Sequence, residues 1–227
     1  MADNKDGSDH FEDAPSREES TAEISYGDKG IKGIIQSPYV FGAALLASLG
    51  GFSFGYDQGV ISLILTMPQF RERFPEVNPD NARYGFNTAF MTGMLEFGAF
   101  IGCLFLPLLA DRYSRKRGLA FAATIFCVGS IIQTAAHNYG ALVAGRTIGG
   151  IGVGTIAMGA PLYISEIAPP NLRGSLLVLE QISIAIGAIV SYWITYGTRQ
   201  TAGDWAFRLP TVSKIPINYI SVEYISL

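Results

Sequence analysis

The sequence predicts an all-α integral membrane protein, and three observations carry that prediction. Only 15% of the 227 residues are charged and mean hydropathy is +0.29, whereas a soluble domain carries about 25% charge. Five apolar runs are each long enough to cross about 30 Å of hydrocarbon as a helix. Glycines recur at four-residue spacing inside those runs, as Gly51-Gly55-Gly59, Gly98-Gly102 and Gly150-Gly154. That spacing lets helix backbones approach closely in lipid, where packing replaces hydrophobic drive. Plain helix packing explains most of these glycines, and together they imply a tight polytopic bundle.

Taken in order, residues 1–38 hold nine acids against four bases and predict a disordered, acidic cytosolic tail. No apolar stretch follows a basic start there, so no cleavable signal is expected and the first span serves as its own insertion signal. The transmembrane bundle is predicted over 39–198, with spans at about 39–66, 84–110, 118–136, 139–163 and 175–197. Each span holds at most one charge: Asp57, Glu96, none, Arg146 and Glu180. The link His137–Gly140 is so short that the third and fourth spans must form an antiparallel hairpin. Residues 199–227 are predicted to be an irregular tail. Its final stretch contains Lys214, Pro216 and Glu223 and cannot supply a sixth span of about 20 apolar residues.

Orientation follows from the short segment 111–117, Asp-Arg-Tyr-Ser-Arg-Lys-Arg, with four bases in seven residues. Basic loops stay in the cytosol, which places the amino terminus there and the 71–83 loop outside. Arg71, Arg73 and Arg83 run against the rule, but Glu72, Glu76 and Asp80 accompany them.

Several function classes have no support. No basic patch with interleaved aromatics points to nucleic acid. Cys103 and Cys127 lie in apolar runs and read as small buried hydrophobes. His10 and His137 suit no metal site. No nucleophile–base pair or cofactor motif appears, so an enzyme is the weakest option.

The lone intramembrane charges carry the functional signal. A charge at the bilayer centre costs at least about 2.5–3.5 kcal/mol, and chains that keep one usually pair it and use it. Asp57 sits in Gly50-Gly51-Phe52-Ser53-Phe54-Gly55-Tyr56-Asp57-Gln58-Gly59, where glycines leave the carboxylate room. Burial favours the neutral acid and a nearby cation the ionised one; that competition is what a proton-binding switch needs. Arg146 stays charged in any such environment. Asp57 is its natural counter-ion and Glu180 is another candidate. A static pair that only fixes packing is the plainer reading. Gln181 can both donate and accept, which suits a polyhydroxyl solute or a helix–helix hydrogen bond. Asp111, Arg112, Arg115, Lys116, Glu166 and Arg173 sit at cytosolic helix ends. Pairs of that kind are worth about 0–1 kcal/mol each, weak enough for a gate that opens; topology signalling alone also explains them.

The most specific pattern is Arg146-x-x-Gly149-Gly150-x-Gly152-x-Gly154, then Pro161-x-Tyr163-x-Ser165-Glu166-x-x-Pro169-x-x-x-Arg173-Gly174. With Phe54-Gly55-Tyr56-Asp57, Gln181 and Trp205 followed by Arg208-Leu209-Pro210, it resembles the sugar porter family of the major facilitator superfamily, in its fungal form, from about Tyr39 to Pro210. Two departures stand out. The family's loop motif Gly-x-x-x-Asp-Arg-x-Gly-Arg-Arg reads Pro107-x-x-x-Asp111-Arg112-x-Ser114-Arg115-Lys116 here, and Thr211 onward leaves the pattern.

The resemblance implies an incomplete major facilitator fold, with about five helices of the amino-terminal six-helix half. It implies alternating access, with a small sugar such as a monosaccharide held between two halves, and a multi-pass protein of the plasma membrane. Proton symport would use Asp57 and Arg146. Gln181, Phe54 and Ile184 would line one wall of the sugar cavity, and the six helix-end residues above would form the cytosolic gate. The partners implied are sugar, protons, lipid and the missing carboxyl-terminal half, with no cofactor. The chain is expected to be a truncated half, inactive by itself. A facilitative uniporter and a non-transporting sugar sensor or regulatory protein are the alternatives.

Overall fold

A computed structural model describes residues 38–113, 115–170, 172–201 and 203–216, and their side chains over 48–107, 117–166 and from 168 onward. The acidic tail and residues 217–227 lie outside the described residues. Every regular element described is helical: α1 (Pro38–Ile64), α2 (Pro68–Arg73), a short 3-10 turn (Pro75–Val77), α3 (Tyr84–Tyr113), α4 (Arg115–Ala135), α5 (Tyr139–Ile167), α6 (Arg173–Thr198) and α7 (Trp205–Val212). Among the described residues, four helical stretches are long and apolar enough to cross a membrane: Tyr84–Pro107, Arg117–Ala135, Tyr139–Glu166 and Arg173–Thr198. Helix α1 has 27 residues, a length of about 40 Å at 1.5 Å per residue.

The helices overrun the apolar runs at their charged ends. Helix α3 continues through Asp111, Arg112 and Tyr113, and α4 already includes Arg115, Lys116 and Arg117. The segment 111–117, predicted as a loop, is thus largely helical. Hydropathy marks where a chain leaves lipid; backbone hydrogen bonding, which ends a helix, continues past that plane.

The bundle is built from close pairs: α1 against α6, α3 against α5, and α4 against α5. The hairpin predicted from the His137–Gly140 link is the last of these. Glycine is required at two crossings. A Cβ at Gly55 would collide with the backbone of Ile184 on α6, and one at Gly150 would collide with the Leu95 carbonyl on α3. Main chain meets main chain there, so the four-residue glycine spacing is a contact seam. Helix α6 buries one stripe only, Leu176, Glu180, Ser183, Gly187, Ser191 and Thr195. Its opposite face, including Val178, Ile182, Ile186 and Trp193, is exposed. An apolar face of that size needs lipid or another helix against it.

The segment after Thr198 corrects the predicted irregular tail. Trp205–Val212 is a helix, and helical backbone resumes at 214–216. Ala206, Phe207, Pro210, Thr211 and Lys214 are buried, spaced as one face of a helix. Phe207 packs edge-on against Phe70, with ring centroids 5.5 Å apart. Asp204 is within 3.4 Å of Arg208 and 3.9 Å of Arg73. The expectation of an irregular tail rested on too few apolar residues for a sixth span. That count left room for an apolar helix packed on the bundle at 205–212.

Candidate functional site

Asp57 lies two turns before the end of α1. The Gly51-Gly55-Gly59 edge of that helix is pressed to α6, and the carboxylate of Asp57, 0% exposed, is enclosed in the bundle. Its Oδ1 accepts a hydrogen bond from Lys214 Nζ in a buried ion pair, while Oδ2 has no hydrogen-bond partner. Tyr56, the preceding residue, donates its hydroxyl to the Pro210 carbonyl at 3.3 Å and shares a 2.7 Å hydrogen bond with Ser213 Oγ. Residues 56–57 and 213–214 are thus matched in register.

Arg146 enters from α5, 1% exposed. Its Nε donates to the Met91 carbonyl of α3 at 3.0 Å, and Nη1 has no hydrogen-bond partner. No ion pair within 4 Å joins it to Asp57 among the described residues, although the two charges interact through space. The direct Asp57–Arg146 pairing predicted from sequence is therefore displaced by Lys214, a side chain that can extend an ammonium to the carboxylate from the end of the bundle. Glu96, to which the sequence assigned no role, is exposed, accepts a hydrogen bond from Gln58 at 2.7 Å and acts electrostatically on Arg146. Glu180 is 3% exposed, and its Oε2 has no hydrogen-bond partner. It supplies no counter-ion to Arg146 among the described ion pairs.

The other candidate residues fall into two groups. Ile184 meets α1 at Gly51 and Gly55, next to Phe54. Gln181 is exposed and lines an open groove with Leu177, Val178, Ile182 and Ala185, all from α6; Phe54 and Ile184 do not reach it. The side chains of Asp111, Arg112, Arg115 and Lys116 lie outside those described. Glu166 and Arg173 are exposed on either side of the α5–α6 link.

The site is one carboxylate facing two cations in a medium of low dielectric. Such a cluster can exchange partners: the acid is held by an ammonium, by a guanidinium, or neutralised by a proton. Sequence reasoning missed Lys214, Tyr56 and Ser213. The available signal was the stripe 206/207, 210/211 and 214, whose helical period continues past Pro210 and points Lys214 inward.

The family model described as Sugar (and other) transporter matches residues 43–222, past Pro210, where the pattern was predicted to end. The chain is 37% identical over 171 residues to a high-affinity glucose transporter of Kluyveromyces lactis, covering 75% of this chain and 30% of that protein. It is 36% identical over 168 residues to the high glucose sensor RGT2 of Saccharomyces cerevisiae, covering 73% of this chain and 22% of that one. The solved structure of the proton:xylose symporter XylE, an E. coli protein, superposes with a TM-score of 0.74 at 25% identity, over 83% of this chain and 44% of that one. The chain spans about a third or less of these curated relatives.

Proposed function

The chain belongs to the sugar transporter family, and on that premise we propose that it forms the amino-terminal half of a transmembrane sugar transporter of the plasma membrane, working by proton symport and alternating access. The observation that carries the reading is the burial of Asp57 and Arg146 together inside the bundle. Intramembrane charges are expensive, so a chain that encloses both has a use for them. Asp57 takes the proton, and Arg146 sets how readily it does so. Gln181, Phe54 and Ile184 contribute one wall of a cavity for a small sugar. The exposure of Gln181 supports its own part in this wall, because its amide is free to face a solute; Phe54 and Ile184 are carried over from the resemblance. Asp111, Arg112, Arg115 and Lys116 meet Glu166 and Arg173 in a cytosolic gate, with the amino terminus in the cytosol. One wall does not enclose a sugar, so this bundle transports only with a second half supplied.

The test is co-expression of this chain with the carboxyl-terminal half of its Kluyveromyces lactis relative in a yeast strain lacking hexose carriers. Concentrative uptake of labelled glucose is expected, and Asp57→Asn removes the concentrative part. Robust uptake by this chain alone in proteoliposomes would contradict the half-transporter reading.

Similarity to a protein named a glucose sensor favours one second reading, a non-transporting sugar sensor. Saturable sugar binding with no uptake in the co-expression assay would select it. A facilitative uniporter would show uptake that equilibrates and does not change with Asp57→Asn.

A further inference from the structure

We infer that Lys214 is a built-in competitor of the proton at Asp57. While its ammonium sits on the carboxylate the acid stays ionised, and Asp57 becomes protonatable only when the segment carrying Lys214 withdraws. This rests on the reading of Asp57 as the proton site.

The groups facing Asp57 come from every side of its pocket. Lys214 reaches it from the segment after α7 and is 3% exposed. Arg146 approaches from α5 without an ion pair, its Nε committed to the Met91 carbonyl. Glu96 of α3 is hydrogen-bonded by Gln58 and acts on Arg146. Glu180 lies on α6, the helix packed on α1, with its backbone carbonyl beside Gly51. Lys214 is thus the cation in direct contact with the acid among the described residues. Its removal would leave Oδ1, like Oδ2, without a partner. A desolvated carboxylate in that state neutralises by taking a proton.

The construction fits a removable group. Lys214 lies two residues past the eight-residue helix α7. That helix is seated through Phe207 on the Phe70 and Phe74 rings, through the Tyr56–Pro210–Ser213 clasp, and at its rim through Asp204. The clasp fastens the residue before Asp57 to the residue before Lys214, so loosening it releases the ammonium. Arg146, by contrast, belongs to a long helix locked to α3 by glycine contacts and cannot withdraw without moving the bundle.

The test is infrared difference spectroscopy of the full chain in lipid nanodiscs, titrated from neutral to mildly acid pH. The protonated-carboxyl stretch is assigned to Asp57 by its loss when Asp57→Asn is added to Lys214→Met. The wild-type chain is expected to show no Asp57 band, Lys214→Met to develop one, and Lys214→Arg to remain silent. An Asp57 band already present in the wild type at neutral pH, or none in folded Lys214→Met, overturns the inference. Should Lys214→Met fail to fold, Tyr56→Phe decides, because it keeps every charge and opens only the clasp. A band that appears at higher pH than in the wild type supports the inference, and an unchanged titration overturns it. The spectrum needs no sugar. Concentrative uptake in the co-expression assay while Lys214→Met stays silent sinks this inference alone, and neither uptake nor glucose binding in that assay sinks the transporter reading.

Discussion

Asp57 and Lys214, 157 positions apart in the chain, form a buried ion pair inside the helical bundle. It ties the last third of α1 to the segment after α7. The nearest sequence-predicted partner, Arg146, is held instead by a main-chain carbonyl of α3. An acid paired with a cation from the segment after α7, with a second cation buried nearby on α5, is the feature from which the stability and coupling behaviour follow.

Removing one member of the buried pair leaves an uncompensated charge, which costs about 3–5 kcal/mol, whereas replacing both with apolar or neutral groups is often neutral or stabilising. Lys214→Met should therefore lower the unfolding midpoint in detergent sharply at neutral pH. The Asp57→Asn/Lys214→Met double variant should recover most of the loss. Equal destabilisation by the single and double variants would count against the pair.

The α1–α6 seam makes a second prediction. A methyl at Gly55 meets the Ile184 backbone, which has nowhere to go, and overpacking of this kind costs about 1–3 kcal/mol. Gly55→Ala should destabilise by that amount in a denaturant titration. Gly197→Ala, where a Cβ meets nothing within 4 Å, should leave stability unchanged or slightly raised.

Arg146→Lys keeps the charge but loses the planar donor that reaches Met91. A buried carbonyl left without its charged partner costs about 1–3 kcal/mol, and an ammonium does not reproduce the guanidinium geometry. Reduced proton-driven uptake in the half-complementation assay is expected, with α3 and α5 less firmly coupled by hydrogen exchange. Wild-type behaviour in both would deny Arg146 its placement role.

Gln181 should separate binding from folding. It is exposed on α6, so Gln181→Ala should leave the unfolding midpoint within about 0.5 kcal/mol of wild type. Loss of a hydrogen-bonding amide from a sugar wall should weaken glucose binding about tenfold, the equivalent of about 1.4 kcal/mol. Unchanged affinity measured by calorimetry would move the sugar wall elsewhere.

Topology is directly checkable. A single cysteine at Arg117, in a background lacking Cys103 and Cys127, should react with an impermeant maleimide only after the cytosolic side is opened. One at Asn81 should react from outside. The reverse pattern would invert the proposed orientation.

Much of this molecule was legible without coordinates. Helix existence, the span order, the α4–α5 hairpin and the small-residue seams follow from hydropathy and spacing, because in lipid every backbone polar group must be satisfied within its own helix. Two lone charges inside apolar runs marked the site for the same reason: their cost makes them conspicuous. The helix ends at 111–117 were misplaced because hydropathy tracks the lipid boundary and not the hydrogen-bond ladder. The sequence by itself thus determined a helical membrane bundle with an acid and a cation inside it. Only the tertiary structure decided which cation touches the acid. Ion pairing depends on reach and direction between side chains far apart in the chain, and a four-carbon stem from a docked helix delivered Lys214 to a carboxylate that Arg146, committed to Met91, does not contact.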